Sequence, residues 1–354
     1  MSEIELTDAI LRNSLQILRL SAGEQAAVEQ ILRELERELK ALLDSRTLSG
    51  SSKREVERLI ADAGRAIDGG YTQAGAQLDT HALALIVAEQ TAELIGETIP
   101  ADIARPTDTT LVSLTRDVLI EGSPASAWWA RQSEDTAFRF AGQVRQGIIN
   151  GETNERIVGR IVGRKPRGDD PGEPGIMDLI RRNARALVHS SVMSAANSAR
   201  FASFRKNPDL FAGVRWLATL DGITCNRCAA LDGQSWDLDG KKLKGTKVAF
   251  LAPPIHWNDR CVLSPIPKRT ALEEAFPGIS AELDEAGARA SSLGPLPAKT
   301  TFQDFLKRQT PEFVEATLGK RRAELFQAGK ITVRDLVGGT GRELTLEELR
   351  IRKT

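Results

Sequence analysis

The chain has three cysteines and three histidines, and all the cysteines gather with one histidine in a single stretch. Cys225-x-x-Cys228 is followed, after 27 intervening residues, by His256-x-x-x-x-Cys261. Thiolate and imidazole are the ligands of tetrahedral zinc, and two short spacings joined by a longer loop are how small zinc sites fold one turn onto another. Four ligands leave no position for water, so the count predicts a closed, structural Cys3His site rather than a catalytic one. Metal binding would stabilise a segment too short and polar to bury its own core, by on the order of 10 kcal/mol in isolated zinc peptides. The alternative is a Cys225–Cys228 disulfide or inert thiols. Three cysteines cannot all pair, and a chain expected inside the cell keeps its thiols reduced.

Something must position these residues. At 354 residues the length suits two or three domains of roughly 150 residues each. Aromatics make up 5% with Tyr71 the single tyrosine, while Ala, Leu, Glu and Arg abound, a composition that favours helices over sheets. Forty-eight basic residues balance 48 acidic ones, so bulk electrostatics gives no expectation of nucleic-acid binding. The acidic start, Met1 to Asp8, lacks the basic and apolar regions of a signal peptide. The longest apolar stretch, Ala82 to Ala88, is far short of the ~20 residues that span a bilayer. The expectation is a soluble, cytoplasmic chain with no membrane partner.

Periodicity supplies the elements. Ser21-Ala-Gly-Glu24 reads as a capping box opening a helix to Ser45, with Val28, Ile31, Leu32, Leu35, Leu39, Leu42 and Leu43 on its apolar stripe. Ser52-x-x-Glu55 caps a second helix through Val56, Leu59, Ile60, Ala63 and Ile67, and a third run spans about Thr72 to Gly96. Pro100 to Pro106 is a connector. Thr110 to Gly163 is read as helical, with Gly151 stopping one helix and Thr153 starting the next. Arg156, Arg160, Arg164, Lys165 and Arg167 make its end basic, a solvated face or a phosphate contact. Three prolines and three glycines mark Lys165 to Gly175 as a loop. A long helix from Ile176 to about Lys206 follows, in which His189 is a surface or packing residue. Period two then appears in Val214 to Leu220 and in Cys261 to Ile266, two strands with the Cys/His cluster between them. Lys241, Lys242, Lys244 and Lys247 decorate the intervening loop. A polar segment leads to Gly294 to Pro297, and short helices follow Thr300.

The expected fold is mainly α with a small β subdomain (α+β): helical bundle regions plus a short zinc-stapled antiparallel β element. Four regions are expected: residues 1–110, N-terminal and helical; 111–212, central and helical; 213–268, the β element with the Cys/His cluster; and 269–354, C-terminal and helical.

The pattern Trp216-x-x-x-x-Asp221-x-x-x-Cys225-x-x-Cys228-x-x-x-Asp232-Gly233-x-x-Trp236, followed by Pro253-Pro254-x-His256-x-Asn258-x-Arg260-Cys261, resembles the phage Mu F-like minor head proteins, a family of head morphogenesis proteins. The helix Ala184 to Phe204 with Asn197 and Arg200, the stretch Trp128 to Ile161 and the tail from Phe305 to Lys330 are similar to corresponding family segments. In all, the resemblance covers about Ser113 to Leu349. Many members carry His-Pro-Asn-Cys-Arg-Cys where this chain has His256-Trp257-Asn258-Asp259-Arg260-Cys261, so the fourth ligand is either Cys261 or Asp259. The resemblance implies a low-copy minor capsid protein that associates with the portal or major capsid protein during head assembly, lies at the portal vertex of the virion, and contacts packaged DNA weakly.

Two other functions compete. A His-Asn-His-type metal-dependent nuclease is suggested by the cysteine pair preceding His256-x-Asn258, but it needs a general base and further ligands around a scissile phosphate, and His81 and His189 lie far upstream. A zinc-knuckle nucleic-acid-binding protein would use the Lys241 to Lys247 loop on phosphate. No Gly-rich phosphate loop or Ser/His/Asp set is present, and the expectation is a protein that is not an enzyme.

Overall fold

A computed structural model describes residues 3–45, 48, 51–99, 101–117, 119–168, 170–277, 288–297 and 299–351. The polar segment after Pro267 and the charged C-terminal tail fall partly outside these residues.

Helix α1 (Glu3–Asp44) is 42 residues long and starts well before the expected capping box. Leu6, Ile10 and Ile17 continue the stripe of Val28, Leu32, Leu35, Leu39 and Leu43, all buried. Ser21 lies in mid-helix and is fully buried, its hydroxyl facing His189 instead of capping a backbone N–H. A Ser-x-x-Glu signal therefore misled here because the apolar stripe runs through it. The box at Ser52 does form: its side chain accepts from the Glu55 N–H and opens α2 (Lys53–Gln77). The expected third run is divided, since α2 reaches Gln77 and α3 (Thr80–Thr98) begins after Asp79, whose carboxylate accepts from the Ala82 N–H at 2.9 Å.

The span read as one helix from Thr110 to Gly151 also divides. Helix α4 (Asp108–Asp117) is followed by a short hairpin, β1 (Leu119–Ile120) with β2 (Ser123–Pro124), before α5 (Ala125–Ile149). Glu121 and Gly122 make its turn with φ of 48° and 83°, which is why two residues suffice to reverse the chain. Gly151 and Thr153 behave as expected, Thr153 capping α6 (Asn154–Val162). Asn154 holds the end of α1 in place, donating to the Leu43 carbonyl and accepting from the Leu48 N–H.

Helix α7 (Ile176–Lys206) has the expected bounds and is the axis of the molecule. It packs on α1, α3 and α5 and against the sheet. Arg181 and Arg185 pair with Glu36 and Glu29 of α1 at the rim. The sheet has the order β4-β3-β5, built from β3 (Phe211–Leu217), β4 (Ser235–Trp236) and β5 (Val262–Pro267), with β3 antiparallel to both neighbours. Trp216 faces Leu263 across the β3–β5 pair. Gly213 sits where a side chain would collide, since an added Cβ would meet the Trp236 carbonyl oxygen at 2.0 Å.

Between β3 and β4 lies α8 (Asn226–Leu231). After β5 come α9 (Arg269–Ala275), the pair β6 (Ala288–Arg289) and β7 (Leu296–Pro297), and the short helices α10 (Phe302–Leu306), α11 (Pro311–Leu318), α12 (Lys320–Gln327) and α13 (Leu346–Ile351), with a 3-10 turn at Val333–Leu336. The C-terminal elements pack onto the β element through buried Phe302, Phe305, Leu306 and Leu336. Among the described residues no helix is long and apolar enough to cross a membrane.

Asp232 joins these parts. Its carboxylate accepts from the N–H groups of Ala218 and Phe302, each at 2.8 Å, and from both ends of the Arg289 guanidinium at 2.6 and 3.1 Å. Arg289 also donates to the carbonyls of Ala218 and Thr300. Both side chains are almost wholly buried. Replacing one partner of such a pair strands the other charge in a low-dielectric interior, at a cost of about 3–5 kcal/mol. Asp232→Ala should therefore lower unfolding free energy by about that amount in urea titrations, and a loss below about 1 kcal/mol would mean that Arg289 finds water instead.

Candidate metal centre

The loop from Thr219 to Cys225 is shaped before any ligand is reached. The Asp221 carboxylate accepts from the N–H groups of Ile223 and Thr224, both at 3.1 Å, forming an Asx-type turn. The Thr224 hydroxyl donates to the Thr219 carbonyl at 2.6 Å. Cys225 is then the N-cap of α8, its sulfur accepting from the Cys228 N–H at 3.4 Å. One helical turn thus brings the two sulfurs of Cys-x-x-Cys to the same end of α8.

The second ligand segment, Ile255 to Cys261, is folded back by its own carboxylate. Asp259 accepts from the Ile255 N–H at 2.9 Å through one oxygen and from the Cys261 N–H at 2.8 Å through the other. Asn258 has φ of 60°, in the left-handed region that asparagine tolerates better than most residues. Arg260 reaches across to Asp221 with two hydrogen bonds, 2.6 and 3.0 Å, and so joins the two ligand segments.

These constraints gather the donor atoms into two groups, each within 4.8 Å: Cys225, Cys228 and His256, and Cys228, Asp259 and Cys261. Cys228 is common to both. His256 Nε2 lies 3.2 Å from the Cys225 sulfur and 3.0 Å from that of Cys228. Its Nδ1–H donates to the Trp257 carbonyl at 2.8 Å, which in the neutral ring leaves the Nε2 lone pair facing the sulfurs, the arrangement that metal-binding histidines adopt. All three cysteines are free thiols with no disulfide among them. The residues present are therefore close enough, and of the right chemistry, to hold a metal ion.

Without a metal, the electrostatics of the site favour a thiolate at Cys225 alone. The hydrogen bond with Cys228, helped by His256, lowers Cys225 to about 4, while contact with Cys225 raises His256 to about 9. Cys228 is pushed up, chiefly by its contact with Cys225, and burial raises Cys261 to about 12. Metal binding must displace the protons from Cys228, Cys261 and His256.

Helix α7 supports the loop from behind. His189 Nε2–H donates to the Asp259 carbonyl at 3.0 Å, and its Nδ1 faces the Ser21 hydroxyl of α1 at 3.4 Å. The Ser190 hydroxyl accepts from the Asn258 N–H at 3.3 Å, and Asn197 donates to the Cys261 carbonyl, also at 3.3 Å. Burial lowers the His189 pKa, favouring the neutral ring. Distance along the chain made His189 look unrelated to His256, but the fold brings it to the same loop. The available signal was a row of polar residues, Ser190, Ser194 and Asn197, at i, i+4 and i+7 on the largely buried C-terminal half of α7. His81 lies apart, paired with Asp108 at 2.8 Å.

Residues 139–264, a little over a third of the chain, match a family model described as Phage Mu protein F like protein. The resemblance carried by the Cys/His pattern is borne out over that stretch, which is shorter at both ends than Ser113 to Leu349. No curated protein and no solved structure matches the chain.

Removing the α7 support should loosen the site without touching a ligand. His189→Leu leaves the Asp259 carbonyl without its donor, a loss of about 1–3 kcal/mol. His189→Gln, which can still donate, should recover part of it. Thermal unfolding of the two variants distinguishes a hydrogen-bonding role from a packing one.

Proposed function

We propose that this chain is a minor capsid protein of a tailed phage, acting in head morphogenesis as a structural component and not as an enzyme. The match over residues 139–264 carries the reading. In this account Cys225, Cys228, His256 and Cys261 hold one structural zinc ion. Asp259 is the competing fourth ligand, but both its oxygens already accept backbone N–H groups, which suits it to positioning Cys261. When bound, zinc supplies cross-linking of α8 to the Ile255 to Cys261 loop, and its binding free energy becomes folding free energy. The proposed partners are the portal or major capsid protein, with weak contact to packaged DNA. The proposed location is the portal vertex of the virion, with host cytoplasm the place of assembly.

Partner contact cannot use the α1 stripe, because its leucines and isoleucines are buried within the protein. Exposed apolar side chains remain on α5, where Phe138 and Ile149 are 80% and 78% accessible and lie three turns apart on one face. The nuclease reading loses support because both ring nitrogens of His189 face partners within the protein and His81 is remote. The lysines of the Lys241 to Lys247 loop are exposed, as a zinc-knuckle reading requires, but nothing else favours that reading.

Purified protein should carry about one zinc per chain by mass spectrometry of the native species. Chelation should lower its melting temperature, and Cys228→Ser should abolish both the metal and the response to chelator. Metal-free protein indifferent to chelators would remove the zinc from this account. In infected cells the full chain should recover portal or coat protein. Phe138→Ser with Ile149→Ser should reduce recovery without changing the melting temperature. Failure of the unaltered chain to recover either protein would contradict the head-assembly reading.

A further inference from the structure

A cavity of about 570 Å³ opens between α5, α7 and the loop that follows His256. Its volume is in the range of small-molecule sites. Two tryptophans form part of its wall. Trp128 comes from α5 and Trp257 from the loop, with ring centroids 5.0 Å apart and planes at 81°. The Trp128 ring is held by its indole N–H, which donates to the Ile120 carbonyl at 2.7 Å. Both remain partly exposed, so aromatic surface is available to a ligand.

Cations flank this surface. Arg131 and Arg182 line the cavity and are exposed. Arg131 has only a distant partner, Glu134 at 4.0 Å, and Arg182 has no ion pair among the described residues. The acidic residue of the lining, Asp135, is occupied by Arg139 at 2.7 Å. Amide groups complete the wall: Asn183 and Asn258 lie at its edge, and Gln132 has an Oε1 that is buried with no hydrogen-bond partner. Aromatic faces suit a flat heterocycle, guanidinium groups suit phosphate, and amides suit the donor and acceptor edge of a base.

We infer that this cavity binds a nucleotide, with the base against Trp128 and Trp257 and the phosphate held by Arg131 and Arg182. The nucleotide is either free or one unit of a single strand. The site is distinct from the Cys/His centre, although Trp257 and Asn258 belong to the loop that centre would fix.

The test uses the full-length chain, with deoxyadenosine monophosphate in equilibrium dialysis and a fluorescent oligothymidylate in anisotropy titrations at two salt concentrations. Binding of at least one is expected. A strand bound at least about tenfold more tightly than the mononucleotide indicates single-stranded nucleic acid, and equal affinity indicates a free nucleotide. Trp257→Ala should weaken binding about fivefold or more, with Trp257→Phe retaining most of it. The double substitution Arg131→Ala with Arg182→Ala should weaken it similarly and flatten its salt dependence. These arginines are on the surface, so that variant tests the site even if Trp257→Ala fails to fold. Lys241→Ala should bind like the unaltered chain. No binding of either probe at about millimolar concentration overturns the inference. So does binding that survives the arginine substitutions, or inorganic phosphate displacing the probe as well as a nucleotide does.

Discussion

The Ile255 to Cys261 loop is irregular backbone pressed against a buried helix, and its polar groups must find partners there. A buried carbonyl or N–H without one costs about 1–3 kcal/mol, and this loop carries several. Helix α7 answers with His189, Ser190 and Asn197, which bind the backbones of Asp259, Asn258 and Cys261. The Asp259 side chain takes the N–H groups of Ile255 and Cys261. With those bonds made, His256 and Cys261 are held at defined places above α8. The position of α7 is in turn secured by α1 and α3, and α1 also meets β5 directly, its Thr7 hydroxyl lying 3.1 Å from that of Ser264.

Charge pairing repeats the same logic at two other joints. Arg260 on the second ligand segment grips Asp221 ahead of the first, and Arg289 grips Asp232 where the C-terminal elements meet β3. The first pair is partly exposed and the second buried, so loss of the second is the more damaging. Both aspartates also bind backbone N–H groups, which makes each a local folding unit as well as a charge. The Cys/His cluster therefore sits in a frame already tied on several sides. A metal would add a cross-link to that frame rather than create it.

Much of this was legible because it follows from local pattern. The bounds of α7 could be read because a Pro- and Gly-rich loop precedes it and an apolar stripe runs through it. Strands β3 and β5 showed in alternation, although β3 runs Phe211–Leu217, three residues earlier than the expected Val214 to Leu220, and the Ser52 cap showed in its partner Glu55. The Cys/His set was visible because cysteine is so scarce. Other features were hidden for physical reasons. Ser21 has the sequence of a cap but the burial of a core residue, since the apolar stripe of α1 runs on through it and outweighs the local signal. The β1–β2 hairpin is two residues per strand, too short to show a period. The tie from His189 to the ligand loop spans 70 residues, and no spacing rule reaches that far.

The central claim is that Cys225, Cys228, His256 and Cys261 form one metal shell braced by Asp259. X-ray absorption at the zinc edge of protein purified without added metal tests it most directly, because sulfur, nitrogen and oxygen ligands differ in number and distance. The account predicts three sulfurs near 2.3 Å and one nitrogen near 2.0 Å. A shell with two sulfurs, one nitrogen and an oxygen that disappears in Asp259→Asn would contradict it, as would protein that holds no metal.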